Sequence, residues 1–194
     1  MRELGTLDFE PILTIPFDAE LFGHWWYEGP LFLEQFIRQA AAVRDEFQLT
    51  TPGDYLRRHQ TQEVVSPAAT SWGEGGYWTV WLEQRTAWIY PHLHAAARRM
   101  VDLARALAGE PTPSQERALR QLARELLLAQ SSDWAFLIRS GTARHYAEER
   151  TNDHLQRFNA IYDQMRNGAV EEPLLTECEN RDNLFPNLQW RHYL

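Results

Sequence analysis

The sequence contains no lysine. All 19 basic residues are arginine, set against 27 aspartates and glutamates, for a formal net charge of −8. That deficit of positive charge argues against a nucleic-acid role, which needs a basic surface to displace phosphate counterions. Cysteine occurs once, at Cys178, which excludes an intrachain disulfide and a zinc ribbon. No apolar run reaches membrane-spanning length and no signal-peptide pattern is found. A soluble, cytoplasmic protein without a membrane partner is therefore expected. Metal-ligand spacing is missing too: His92 and His94 stand two apart, and a helix points such residues to different faces. Neither a glycine-rich phosphate loop nor a Ser-His-Asp signature is present, so no metal and no cofactor is expected.

Aromatic surface, by contrast, is plentiful. Aromatics make up 12% of the 194 residues, with eight tryptophans, and the apolar fraction of 44% is ordinary for one globular chain with a sizeable core. Most of these rings are expected in that core. The exception is the stretch Phe17-Asp-Ala-Glu-Leu-Phe-Gly-His-Trp-Trp-Tyr-Glu-Gly29. It places two carboxylates, a histidine and three consecutive aromatics directly after an apolar run at 11–17, which reads as a buried strand. Carboxylates at a strand end, beside flat apolar rings, suit a sugar: rings stack on a pyranose face and a carboxylate serves its hydroxyls or its glycosidic oxygen.

The rest of the chain reads as helix. Pro30 is well placed to start one, with Leu31, Phe32, Phe36, Ile37, Ala40 and Val43 on its buried face. Thr51-Pro52 opens a short helix to about residue 60, followed by a loop at 61–77. A long helix is expected over about 86–108, with Pro91 near its start. Thr112-Pro113 begins the next, with an apolar stripe of Leu119, Leu122, Leu126 and Leu127. Ser131 or Ser132 caps a short helix that Gly141 ends. Thr142 starts a last long helix to Gly168, with Tyr146, Ala147, Leu155, Phe158, Ile161, Tyr162 and Met165 inward. Residues 1–9 read as a lead-in and 171–194 as irregular. One strand followed by many helices is an odd inventory, because a lone strand cannot satisfy its own backbone groups. Either it pairs with another chain or what normally precedes it is missing.

Two further segments join the first motif: Ser71-Trp-Gly-Glu-Gly-Gly-Tyr-Trp-Thr-Val-Trp81 and Gln130-Ser-Ser-Asp-Trp-Ala-Phe-Leu-Ile-Arg-Ser-Gly-Thr-Ala143. In order and spacing the three together resemble glycoside hydrolase family 57, in its α-1,4-glucan branching enzyme branch. The resemblance covers nearly the whole chain. It implies a mainly α fold, with a helical-bundle C-terminal domain preceded by the last strand of an incomplete α/β (seven-stranded-type) barrel. Residues 1–60 would be the terminal piece of that barrel and 61–194 the helical domain with its glucan-binding loop. Members of the family carry a long portion before the Asp18 motif, which supplies most of the barrel, an early histidine-bearing motif and the glutamate nucleophile.

The resemblance assigns roles residue by residue. Asp18 would be the acid/base of a retaining mechanism, which pairs two carboxylates roughly 5–5.5 Å apart. The alternative for Asp18 is a carboxylate capping a turn. Glu20 and His24 would support it or hold a sugar hydroxyl; equally, they are a polar pair tying the loop down. Trp25, Trp26 and Tyr27 cannot all face substrate, and Trp25 is carried as a contact. Trp72 and Trp81 would form glucan subsites, with Glu74 a loop carboxylate within reach of hydroxyls and Trp78 a neighbour that also suits the core. Asp133 matches a glucan-contacting position and is also an ordinary helix N-terminal acid. Thr142 falls where some relatives place a sugar-contacting glutamine, and it also reads as a helix cap. The implied partner is an α-glucan, with a separate barrel-bearing chain or self-association completing the fold. The alternatives are an α-amylase or 4-α-glucanotransferase of the same family, or a non-catalytic glucan-binding or scaffold remnant.

Overall fold

The computed structural model describes residues 10–168 and 170–194, and the expected lead-in at 1–9 lies outside the described residues. The chain divides into two compact units, Met1–Pro67 and Ala68–Leu194.

In the first unit the expected strand at 11–17 does not form. These residues have no regular structure and no ladder partner, and Leu13 is 80% exposed. The physical reason is the one its pattern raised: a strand exists only through its neighbour, and the described residues contain no strand. The chain instead turns through a five-residue π-helical turn, Leu21–Trp25, into α1 (Gly29–Ala42). Aromatic packing joins turn to helix. Phe22 meets Phe17 edge-on at 5.5 Å and Phe32 face-on at 6.5 Å, and Trp26 lies 4.9 Å from Phe32. The face of α1 expected to be buried is largely open: Leu31, Phe32, Phe36, Ile37 and Val43 are all exposed, and of the six only Ala40 is buried. Periodicity marks a face for contact, but the described part of this unit is too small to cover it. α2 (Pro52–Arg58) follows, with Thr51 Oγ1 accepting the Asp54 N–H at 3.1 Å.

The second unit is a helical bundle of α3 (Ile89–Ala106), α4 (Pro113–Ala129), α5 (Ser132–Ser140), α6 (Arg144–Arg166) and α7 (Glu172–Arg181). Local chemistry explains most of its boundaries. Pro91 sits in the first turn of α3, where a missing N–H costs nothing. Thr112 and Gln115 form a reciprocal capping box on α4. Gly141 ends α5 in the left-handed conformation at φ 77°. Leu119, Leu122 and Leu126 of α4 and Phe158 and Ile161 of α6 are fully buried against one another's helices, whereas Leu127 and Tyr146 turn outward. α6 begins two residues later than expected. Ala143 is its N-cap, and Thr142 bonds Ser140 instead of capping the helix. Among the described residues no helix is long and apolar enough to cross a membrane.

The tail is not irregular. Pro173 starts α7, and the chain closes in a 3₁₀ turn, Trp190–Tyr193, that inserts Trp190 fully into the core. The Trp190 indole N–H donates to Glu116 Oε2 at 2.7 Å, and Arg191 lies over its ring at 4.4 Å. Burial disfavours the charged form of Glu116, but hydrogen bonds from Trp190 and Arg120, with the charges of Arg120 and Arg191, outweigh it and hold the carboxyl below its usual 4.5. The stabilisation is therefore complete above about pH 4.5 and is lost as pH falls through the lowered folded value. Urea titrations at pH 6 and pH 3 should show it: Glu116→Gln is expected to reduce the difference in stability between the two pH values. An unchanged difference would remove Glu116 from the acid response.

Cys178 is buried on α7, and desolvation, with the nearby Glu125 charge, pushes its thiol up to about 11. The thiol is therefore expected to resist a disulfide reagent at pH 8 until denaturant is added. Rapid labelling of the folded chain would mean that α7 opens locally.

Candidate functional site

In the first unit, the turn that carries the Asp18 motif sorts its side chains. Phe22 and Trp26 turn in toward α1, which leaves Asp18, Glu20, His24, Trp25 and Tyr27 exposed. Asp18 holds the start of the turn by its backbone, its carbonyl accepting the Leu21 N–H at 3.2 Å. Glu20 does not bond His24 among the described residues; the His24 ring instead meets Trp25 edge-on at 5.8 Å. Trp25 and Tyr27 are 68% and 95% exposed.

In the second unit, the loop at 70–82 is built around one hydroxyl. Ser71 Oγ accepts the Gly73 N–H at 3.0 Å and the Trp81 indole N–H at 3.3 Å, and donates to the Tyr77 carbonyl, so all three of its hydrogen-bonding positions are used. Gly73 is required there, because a Cβ would lie 2.6 Å from the Tyr77 carbonyl oxygen. The loop is turns rather than helix, so Trp78 and Trp81 do not share a helical face. Trp72 stands 78% exposed on this rigid support, and Glu74, also exposed, opens the short 3₁₀ turn beside it.

Trp81 faces a cavity of about 130 Å³, lined also by Tyr90, Gln130, Ser131, Ser132 and Trp134. The Tyr90 hydroxyl donates to the Trp81 carbonyl, and burial pushes its phenol up, so it remains a donor at neutral pH. The Trp134 indole N–H is spent on the Leu128 carbonyl at 2.7 Å, leaving its ring as an apolar wall. Asp133 is exposed next to the lining serines and accepts from Ser131 Oγ at 3.2 Å. Thr142 is exposed and is not part of the lining. The lining is mostly apolar, with Ile89, Leu93, Ala129 and Ala135 beside the three aromatic rings and few hydroxyl and amide groups, a chemistry compatible with the apolar face of a pyranose. Tyr90, Gln130 and the wall role of Trp134 were missed from sequence; their positions depend on how the start of α3 packs beside the junction of α4 and α5.

A second constellation was also missed. Glu125 and His154 are fully buried and Asp182 nearly so. His154 Nδ1 lies 2.7 Å from Glu125 Oε2, and Arg157 donates to Asp182 Oδ2 at 2.9 Å. Gln121 donates to Glu125 at 2.7 Å. The three acid and imidazole groups have a metal-like spacing, within 4.8 Å of one another. They do not fit a metal ion: Arg150 and Arg157 both pair with Asp182, Gln121 and His154 engage Glu125, and a cation there would face two guanidinium groups. The signal available in the sequence was polar residues on an apolar stripe, Gln121 and Glu125 being interleaved with Leu122 and Leu126.

Residues 92–193 match the family described as 1,4-alpha-glucan branching enzyme, C-terminal. The chain is 33% identical over 180 residues to the 1,4-alpha-glucan branching enzyme TK1436 of Thermococcus kodakarensis, an alignment covering 90% of this chain and 26% of that protein. Its structure is similar to the GH57-type branching enzyme of the hyperthermophilic archaeon Pyrococcus horikoshii (TM-score 0.72, 34% identity, 92% of this chain and 34% of that one). It is also similar to the alpha-amylase AmyC of Thermotoga maritima (TM-score 0.67, 39% identity, 99% of this chain and 35% of that one). The chain thus spans about a third, or less, of the length of these relatives. With more than half of its length matched, and with a helical bundle that superposes on theirs, the chain belongs to the 1,4-alpha-glucan branching enzyme family of the GH57 type, as its C-terminal domain.

Proposed function

We propose that this chain supplies the acid/base aspartate and the glucan-binding aromatics of a retaining α-1,4-glucan branching enzyme, which builds α-1,6 branches into glycogen-type glucan in the cytoplasm. The single observation that carries the reading is the Trp81–Tyr90–Trp134 cavity beside a rigid loop presenting Trp72, in a domain of this family. Asp18 protonates the departing glycosidic oxygen, then takes the proton of the incoming acceptor hydroxyl. Glu20, His24 and Trp25 line its surroundings. Trp72 and Trp81 stack on glucose rings, and Asp133 and Thr142 reach their hydroxyls. Residues 1–60 are the terminal piece of the catalytic barrel. The open apolar side chains of 11–17 and α1 are the surface that the rest of the barrel covers, in the same polypeptide or another, and that portion brings the nucleophile.

The test is an amylose branching assay with the chain alone and with the barrel portion of a relative added. The expected result is no turnover alone, because acid catalysis without a nucleophile is worth only about 10²–10⁴-fold, and α-1,6 linkages in the mixture. Robust turnover by the chain alone would overturn the division of labour. A hydrolytic reading is favoured by the 39% identity to AmyC, described as an alpha-amylase. New reducing ends without α-1,6 linkages would select it. The two differ in whether water or a glucan hydroxyl reaches the glycosyl-enzyme.

A further inference from the structure

We propose that His154 is a positioning residue for the glucan cavity: buried beneath Trp134, it fixes the plane of the ring that forms the cavity wall. The proposal rests on the reading of that cavity as a glucan site and adds to it the element that shapes it.

The His154 and Trp134 rings stack with centroids 6.4 Å apart and planes 28° from parallel. His154 is fully buried and held at both nitrogens. Nδ1 lies 2.7 Å from Glu125 Oε2, and Nε2 lies 3.0 Å from Arg150 Nη2. A guanidinium only donates, so Nε2 accepts, and Nδ1 carries the proton and donates to Glu125. The tautomer and the ring plane are both determined by this arrangement. Glu125 is held in turn by Gln121, whose amide also reaches the Cys178 carbonyl at 3.2 Å. Trp134 has its own tether at one edge, the bond to Leu128 at 2.7 Å, and Tyr146 meets it edge-on at 6.1 Å. The bond at the edge leaves rotation of the indole open, and the imidazole beneath closes it.

Burying two carboxylates and an imidazole, with two half-buried guanidiniums beside them, is an expensive way to stabilise a bundle; apolar residues of the same volume often do as well or better. What such a network provides that apolar packing does not is one defined orientation. Here that orientation is passed, ring on ring, to a side chain lining the cavity.

The experiment is nitrogen-15 NMR on the intact 194-residue chain, with maltoheptaose as the probe. The His154 imidazole is expected as the Nδ1–H tautomer. In His154→Gln and in the milder Glu125→Gln, the Trp134 indole signal (assigned by its loss in Trp134→Phe) is expected to move. Maltoheptaose affinity is expected to fall about fivefold, with helical circular dichroism retained. Trp72→Ala is expected to lower affinity without moving the Trp134 signal. An Nε2–H tautomer in the unaltered chain overturns the proposal, and that measurement decides it even where a variant does not fold. An unaltered chain that binds maltoheptaose, with both variants unchanged in affinity and in the indole signal, overturns this proposal alone. An unaltered chain that binds no maltoheptaose overturns the glucan reading of the cavity and this inference with it.

Discussion

Asp18→Asn, made where a barrel portion completes the site, is expected to lower kcat by about 10²–10⁴-fold while leaving KM for amylose nearly unchanged. The amide keeps the size and shape of the carboxylate and cannot deliver a proton to the leaving oxygen. Asp18 is exposed at the start of the Leu21–Trp25 turn, and it is the Asp18 carbonyl that accepts the Leu21 N–H there. The substitution is therefore expected to alter chemistry rather than fold, since the backbone bond at the turn is kept. Steady-state branching rates with amylose, together with binding of the same glucan, separate the two effects. Retained kcat would move the acid/base role to another carboxylate of the motif, Glu20 or Glu28 being next in the chain. A rise in KM with kcat intact would make Asp18 a binding residue.

Trp190→Ala is expected to destabilise the second unit by about 3–5 kcal/mol, the range for removing a large aromatic from a core. Trp190 is fully buried, and its loss also takes the indole donor from Glu116. Trp190→Phe keeps most of the volume and is expected to cost less, about 1–3 kcal/mol, mainly through the hydrogen bond left unmade to a charged acceptor. Urea unfolding followed by helical circular dichroism measures both. A Trp190→Ala chain as stable as the parent would show that the 3₁₀ turn rests on the bundle without contributing to it.

Where the answer lay within a few residues of the question, the sequence was sufficient. Thr112 with Pro113, Thr51 with Pro52, and Gly141 each determine a helix boundary through backbone groups no more than four residues away, and each boundary stands in the structure. Thr142 looked equivalent but lies one residue too early, and its hydroxyl found Ser140 instead. The three motifs carried the family, because side-chain identities at fixed spacing survive without any knowledge of packing. In the site, the exposed Trp72 was legible from the glycines around it. Tyr90 and the wall role of Trp134 were not, since the cavity is made where the start of α3 packs beside the junction of α4 and α5.

The sequence by itself therefore determined four of the five bundle helices, α3 to α6, the absence of an intrachain disulfide, and the family, while α7 was read as irregular chain. Tertiary structure decided the properties that belong to pairs of distant segments. The apolar run at 11–17 has the composition of a strand, yet without a neighbour to share its ladder it forms none. α1 has the periodicity of a buried helix and stands largely open, because periodicity names a face and cannot supply its cover. Trp190 reads as part of an irregular tail and is core, because the pocket that receives it lies against Glu116, far back in the chain. His154 reads as one polar residue among many on α6. Only the approach of α4, which brings Glu125 to its ring, and of Asp182 at the end of α7 turns it into the fixed centre of a buried network. Burial and pairing are decided by what a residue meets, and that information lies in the folded chain rather than in any local stretch of it.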